Sequence, residues 1–329
     1  MSERIIQQDD IQRRLDEKAR RKARIDSFLP YAGLTVLFLF FLVVTGGTLV
    51  SGQNLSNLVN QCFTLMIVAI GGAFVYAHGG SDMSIAATCG CGQLVCAYLL
   101  MQMGLPLWVC ILACVAVTLI GSCMTASISL VFGVPVFIGS MCIRSVFLGI
   151  LTTATAGSKI FVSEEGYEFM NSPALKLAIL LALILLGYYL FECTTYGKRN
   201  KFIGGNEVTA RQAGVNVKRV KLLSYVLMGL ATGIAAVFQM FRNSEVTAQS
   251  GTGIEFNMML AVILGGMPMR GGEKARFLAA VVGALTVTVL ENGLALWGLD
   301  IILINGVKGL LFVLIVGLSY DKSLGKLVS

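Results

Sequence analysis

The main shortage in this chain of 329 residues is charge: Asp, Glu, Lys and Arg make up 13% of it, whereas apolar residues make up 56%. A soluble domain carries about a quarter charged residues. Between Ser27 and Ile143 the only charged side chain at neutral pH is Asp82. The uncharged apolar runs reach roughly 18 to 24 residues, which is the length that crosses a bilayer. The composition excludes a soluble domain and predicts an all-α, polytopic membrane protein.

Groups that carry chemistry are also scarce. The chain has a single histidine, and its nine cysteines form no CxxC or Cys/His grouping with metal spacing. No G-x-x-x-x-G-K-[ST] phosphate loop occurs. We therefore expect no catalytic residue, no metal site and no ATP hydrolysis by this chain. The cysteines lie in or beside apolar runs, so we expect them to be small buried residues.

Hydropathy predicts about ten membrane spans, joined by short loops. Their predicted bounds are 29–50, 56–77, 84–103, 106–130, 134–156, 174–193, 222–241, 257–269, 277–296 and 301–318. Segments 1–28, 194–221, 270–276 and 319–329 together carry 20 of the 25 Lys and Arg residues. The positive-inside rule then places both termini in the cytoplasm. Because the basic residues lie in these loops, the net charge of +7 does not indicate nucleic-acid binding.

The predicted domain organisation is simple. Residues 1–28 form a polar cytoplasmic segment that does not resemble a signal peptide. One transmembrane domain covers 29–318, and a cytoplasmic tail covers 319–329. A weak internal repeat relates "AHGGSDMSIAA" (77–87) to "MRGGEKARFLAA" (269–280), and both fall at predicted cytoplasmic turns. Such repeats are common in transporters.

The loop 194–221 is the longest and most basic connection. Within it, Asn206 is a helix cap, Glu207 suits the positive end of a helix, and Gly214 suits its C-terminal end. These signals predict a helix over 207–213. So short a helix is unstable alone, so it should pack on something. Two interpretations are open: a projecting helix that contacts a cytosolic motor, or a surface turn lying on the bilayer.

Several motifs resemble those of ribose-type sugar permeases of ABC importers. "FIGGNEVTARQAGVNVKRVK" looks like their cytoplasmic coupling segment, and "NLSNLVNQ" (54–61) and "GGSDMSIA" (79–86) are similar to two further motifs. "GTGIEF", "AVILGG" and "ENGLALWG" follow in the family's order, so the likeness covers most of the chain beyond residue 30. Ala86 departs from the family's usual glycine, and Leu148 from its usual arginine, while Arg144 stands one turn earlier.

The resemblance implies a permease subunit that moves a small polar solute, most simply a monosaccharide, across the bacterial inner membrane by alternating access. It implies cytosolic ATPases that bind ATP and Mg²⁺, an extracytoplasmic binding protein, and a second permease copy or paralogue. The residues that it assigns to ATPase coupling are Gly205, Asn206, Glu207, Ala210, Arg211 and Gly214.

Asp82 has two interpretations. It can cap the third helix together with Ser84, after a tight turn at Gly79 and Gly80. Alternatively, it can carry protons with His78 and Glu291 in a secondary transporter. We expect the cap, because Asp82 falls at a predicted helix end.

A polar stripe marks the second span: Asn57, Asn60, Gln61 and Thr64 share one helical face. A polar stripe is costly against lipid, so it faces either another helix or a solute pathway. Asn57 and Gln61 match family positions, which favours the pathway.

Three sites of charge remain. Glu255 and Asn257 lie at the predicted outer entrance of the eighth span, where a binding-protein contact or a solvated rim would fit. Glu291 and Lys308 fall at similar depth in adjacent antiparallel spans, which predicts a structural ion pair. Arg144 has no partner that the sequence identifies.

Overall fold

A computed structural model describes residues 28–163 and 165–319. In this part of the chain the helices are α1 (Phe28–Val44), α2 (Gly52–Ala77), α3 (Ile85–Ala97), α4 (Leu107–Phe132), α5 (Val136–Thr155), α6 (Pro173–Tyr188), α7 (Thr195–Gly205), α8 (Glu207–Gln212), α9 (Val217–Asn243), α10 (Ile254–Leu264), α11 (Phe277–Leu296) and α12 (Ile301–Ser319). Single π-helical turns, Tyr98–Gln102 and Tyr189–Cys193, continue α3 and α6. Two short strands, β1 (Ile160–Phe161) and β2 (Glu245–Val246), pair antiparallel with Ile160 opposite Val246.

A helix is present at each of the ten predicted spans. Seven of the described helices are long and apolar enough to cross a membrane, and α1, α10 and α12 are shorter apolar helices. The first span ends at Val44 instead of residue 50, because Gly46 and Gly47 both adopt positive φ. The eighth runs over Ile254–Leu264 and stops before Gly266, whose φ is +88°. The predictions for residues 1–27 and 320–329 lie outside the described residues.

The helices form an inner and an outer group. In the most apolar stretches of α2 and α11, 78% of residues are buried, whereas in α6 the share is 17%. Small residues let the inner helices meet closely. A Cβ on Gly71 of α2 would lie 2.7 Å from Ala231 Cβ of α9. The core is therefore built around α2, and α4, α5 and α6 present broad exposed faces.

Two non-helical segments enter the bundle. Ser84, at the end of segment 78–84, has its Oγ 3.0 Å from Oγ1 of Thr125. Thr125 lies seven residues before the end of α4, or about 10 Å along the helix. Helix α10, which follows segment 247–253, is about 16 Å long, which is half of a hydrocarbon core. Asp82 is 1% exposed, so the turn around it is buried within the protein.

The cysteines follow the prediction in part. Cys62, Cys89, Cys91, Cys96, Cys110 and Cys114 are buried, and all nine cysteines are free. Cys142 and Cys193 are exposed, so the expectation of burial is wrong for these two. They lie on the outward faces of α5 and of the turn after α6, where an apolar thiol can face lipid.

Candidate functional site

The predicted short helix in the basic loop is present as α8, over Glu207–Gln212, one residue shorter than expected. The Asn206 side chain accepts a hydrogen bond from the Thr209 N–H at 3.0 Å, and Gly214 has a φ of +79°. Glu207 pairs with Arg211 at 3.0 Å and with Lys221 at 2.6 Å. The Lys221 hydrogen bond lowers the pKa of Glu207. The helix is thus defined by its caps and tied by Glu207 to the start of α9.

Helix α8 packs on the protein. Ala210 is fully buried in a small apolar cluster with Ile203, Val217 and Val220. Val208 on the opposite face is 65% exposed. The expectation that this short helix packs on the protein is confirmed, because one face of α8 is fixed against α7 and α9 while the other face is exposed.

Helix α7 connects α8 to the ends of two core helices. Asn200 donates from Nδ2 to the Phe74 carbonyl of α2 at 2.7 Å. The Gly272 N–H donates to the Ala77 carbonyl at 3.0 Å, which joins the end of α2 to the loop before α11. A Cβ on Gly204 would lie 2.2 Å from the Ala77 oxygen and 2.5 Å from the Gly272 nitrogen. We call this contact of Ala77, Gly204 and Gly272 the glycine junction.

The glycine junction also brings the two repeat segments together. A Cβ on Gly79 would lie 2.7 Å from the Arg270 carbonyl oxygen, and the φ of Gly79 is +78°. Residues 77–80 and 270–272 therefore pack backbone to backbone, next to the end of α7. Larger side chains at Gly79 or Gly204 would separate these segments.

Glu192, which the sequence reasoning did not single out, ties the same region together. Its Oε2 lies 2.5 Å from Lys201 Nζ of α7, and its Oε1 accepts from the Phe277 N–H at 3.0 Å. It therefore caps the first turn of α11 from the end of α6. The only local signal was an acidic residue beside a basic loop.

Asp82 bonds to Ser84. Its Oδ1 accepts from the Ser84 N–H at 2.8 Å and from the Ser84 hydroxyl at 2.6 Å, and Ser84 immediately precedes α3. Gly80 lies against His78 and Tyr225, so a Cβ there would meet the imidazole at 2.5 Å. Asp82 thus fixes the backbone at the entry to α3, while the Ser84 side chain makes no cap bond to the helix.

The proton route through His78, Asp82 and Glu291 is not assembled. His78 follows Ala77, which contacts the loop before α11. Glu291 lies 14 residues into α11, or about 21 Å from that end. His78 and Asp82 therefore lie far along the bundle from Glu291, which argues against the alternative interpretation of one proton relay and favours the expected cap.

The polar stripe of α2 is only partly occupied by helix contacts. Asn60 accepts from Lys176 Nζ of α6 at 2.7 Å, and its carbonyl accepts from Arg242 of α9 at 3.3 Å. Thr64 is buried, Gln61 is half-buried and Asn57 is exposed. Asn60 therefore serves helix packing, and no side-chain hydrogen bond joins Asn57 or Gln61 to another described residue.

Glu291 and Lys308 lie in contact, as their spacing predicts. Lys308 Nζ is 2.5 Å from Glu291 Oε1 and 3.0 Å from Asn257 Oδ1. Asn257 in turn donates to Glu291 at 2.9 Å. The three side chains form one network that joins α10, α11 and α12.

Arg144 pairs with Glu255, a contact that the sequence did not predict. The guanidinium Nη2 lies 3.0 Å from Glu255 Oε1, and the Glu255 side chain is 2% exposed. The expectation of Glu255 at an exposed rim or in contact with a binding protein is wrong, because the residue is buried against α5. Asn257 is likewise engaged inside the bundle.

Comparison with known proteins agrees with these features. Residues 54–316 match the family described as the permease component of branched-chain amino acid transport systems. A probable ABC transporter permease protein of Escherichia coli is 28% identical, covering 86% of both chains. A ribose import permease protein of Bacillus subtilis is 28% identical, covering 89% of this chain and 92% of its own. A xylose transport system permease protein of Escherichia coli is 25% identical over 90% and 92% of the two chains. The chain therefore belongs to the family of permease components of branched-chain amino acid transport systems.

Proposed function

We propose that this chain is the membrane-spanning subunit of an ABC importer that carries a monosaccharide across the cytoplasmic membrane. The relatives named for ribose and xylose import support this substrate class. The observation that carries the mechanism is α8, a capped helix with one packed and one free face. Cytosolic ATPases supply the energy, and an extracytoplasmic binding protein delivers the solute.

The proposed topology has ten spans with both termini in the cytoplasm. The basic loops 194–216 and 265–276, which meet at the glycine junction, would form the cytoplasmic face. The β1–β2 strand pair, with the Lys159–Glu245 ion pair at 2.9 Å beside it, would lie on the outer face. A second copy or a paralogue would complete the membrane part.

In this mechanism the ATPases contact α8 and displace it together with α7. Asn200, Gly204 and Glu192 connect α7 to α2 and α11. A displacement of α8 is therefore passed to the ends of two core helices, which alternating access requires. We place Asn57 and Gln61, which have no side-chain hydrogen-bond partner among the described residues, along the outer part of the solute path.

The test uses proteoliposomes that contain the chain, its ATPases and a sugar-loaded binding protein. Glu207→Lys places a third cation beside Arg211 and Lys221 and should abolish the stimulation of ATPase activity by the binding protein. Glu273→Lys is the matched control, because Glu273 is exposed in the loop 270–276 and forms no ion pair with another described residue. Sugar uptake by the wild-type protein that is unchanged by ATP depletion but abolished by a protonophore would contradict the proposal.

A further inference from the structure

A cavity of about 490 Å³ lies between α3, α5 and the segment 247–252. Its volume is within the range of small-molecule sites, roughly 300–1,000 Å³. Most of its polar lining comes from α5 and the non-helical segment. The residues that matter are Arg144, Ser145, Gly149, Thr152, Gln249 and Ser250.

The cavity lies about midway along α5 and opens on the exposed face of the bundle, where Ser145, Gly149 and Thr152 are exposed. Arg144 stands eight residues after the start of α5, or about 12 Å along the helix. A guanidinium at such depth is costly in hydrocarbon and faces a partner or a water-filled space. Arg144 has both, because it pairs with Glu255 on one side and lines the cavity on the other.

The cavity wall formed by α3 and segment 247–252 is closely packed. A Cβ on Gly90 of α3 would lie 2.4 Å from the Ser250 carbonyl oxygen, and one on Gly251 would lie 2.3 Å from the Ala86 oxygen. The non-helical segment is thus pressed backbone to backbone on α3. Irregular backbone at membrane depth is tolerated where it is buried in protein or lines such a cavity.

The charge of the lining is balanced. The Arg144 cation is neutralised by Glu255, whose second carboxylate oxygen has no hydrogen-bond partner among the described residues. The remaining polar groups carry no fixed charge: the Gln249 amide can donate and accept, whereas the Ser145 and Thr152 hydroxyls donate to carbonyls of their own helix and can accept from alcohol groups. An anionic solute would have to compete with Glu255 for the guanidinium.

We propose that this cavity binds the solute midway along its path and selects a neutral, polyhydroxylated molecule of monosaccharide size. Arg144 donates to solute hydroxyls from the guanidinium nitrogens that Glu255 does not occupy. Ser145 and Thr152, seven residues or about two turns apart on the same face of α5, offer hydroxyl oxygens as acceptors. This inference rests on the proposed function and adds the location and charge class of the binding site.

The first test fills the cavity without straining the fold. Gly149 lines it, and a Cβ at Gly149 meets nothing within 4 Å. Gly149→Leu should lower accumulation of radiolabelled ribose by about tenfold or more, while ATPase stimulation by the loaded binding protein stays near wild type. Gly306→Leu is the matched control: Gly306 lies on α12, outside the cavity, with the same open surroundings, and should leave both unchanged.

The possible outcomes distinguish a failure of the cavity site from a failure of the proposed function. Normal ribose accumulation in Gly149→Leu overturns the cavity site alone. Failure of that variant to assemble with its partners also overturns it, because the cavity would then be a contact between subunits. A wild-type importer without ATPase stimulation overturns the proposed function and this inference with it.

The charge class has its own test. In Thr152→Cys, maleimide labelling at position 152 is followed by peptide mass spectrometry, which separates it from the exposed native Cys142 and Cys193. Ribose should slow the labelling, and glucuronate at the same concentration should not. Equal or better protection by glucuronate, or no protection by ribose, overturns the proposed selectivity.

Discussion

Gly204→Ala offers a sharp test of the glycine junction. The added Cβ would lie 2.2 Å from the Ala77 oxygen, whereas ordinary contacts begin at 3.4 Å, so α7 and α2 must separate by about 1.2 Å. Overpacking of this kind costs about 1–3 kcal/mol. Without the clash, Gly→Ala in a helix would be favourable by about 1 kcal/mol. The variant should therefore be destabilised despite its better helix propensity.

The neighbouring residue supplies the control. Gly205 is exposed at the end of the same helix, and a Cβ there meets nothing within 4 Å. Thermal unfolding in detergent should show Gly204→Ala below wild type and Gly205→Ala at or above it. In proteoliposomes, Gly204→Ala should also lose much of the ATPase stimulation by the loaded binding protein, since α8 would no longer sit on the end of α2. If the two variants behave alike in both assays, the junction does not carry the coupling.

Two further changes test individual contacts. Glu291→Gln and Lys308→Met should each lower the free energy of unfolding by about 1–3 kcal/mol, because each change leaves the opposite charge of the pair without its partner. The double variant should regain part of this loss. A double variant no more stable than either single variant would argue against the pair. Asp82→Asn should unfold close to the wild-type temperature, because an amide oxygen can still accept from the Ser84 N–H, whereas Asp82→Ala should lose about 0.5–2 kcal/mol. Transport abolished in Asp82→Asn at normal expression would instead indicate a proton-carrying role.

The helices could be predicted from the sequence because their signals are local. Apolar runs show where each helix lies, whereas its end was harder to predict: the eighth span was predicted to reach residue 269, but α10 ends at Leu264, before Gly265 and Gly266. The short helix α8 was predictable for the same reason, since Asn206 and Gly214 act on neighbouring backbone groups. The early end of α1 was missed because the apolar run continues past Gly46 and Gly47 to residue 50, so hydropathy gives no sign that the helix stops at Val44.

Tertiary partners were predictable only when they were close in the chain. Glu291 and Lys308 stand on consecutive helices, so their depths could be compared by counting residues. Arg144 and Glu255 are more than a hundred residues apart, and nothing local indicates that α10 begins in the middle of the bundle. The error at Glu255 follows from this, because a helix assumed to start at the membrane surface puts its first turn at a rim.

The first turn of α10 is held from two directions, which bears on how the bundle can move. Glu255 ties it to α5 through Arg144, and Asn257 ties it to α11 and α12 through Glu291 and Lys308. Buried ion pairs add little net stability, yet breaking one is costly, so their main effect here is to fix positions. An eleven-residue helix cannot span the bilayer and needs such ties more than its longer neighbours do. A movement of α10 during transport must therefore carry α5 and the α11–α12 pair with it or separate one of these charge pairs.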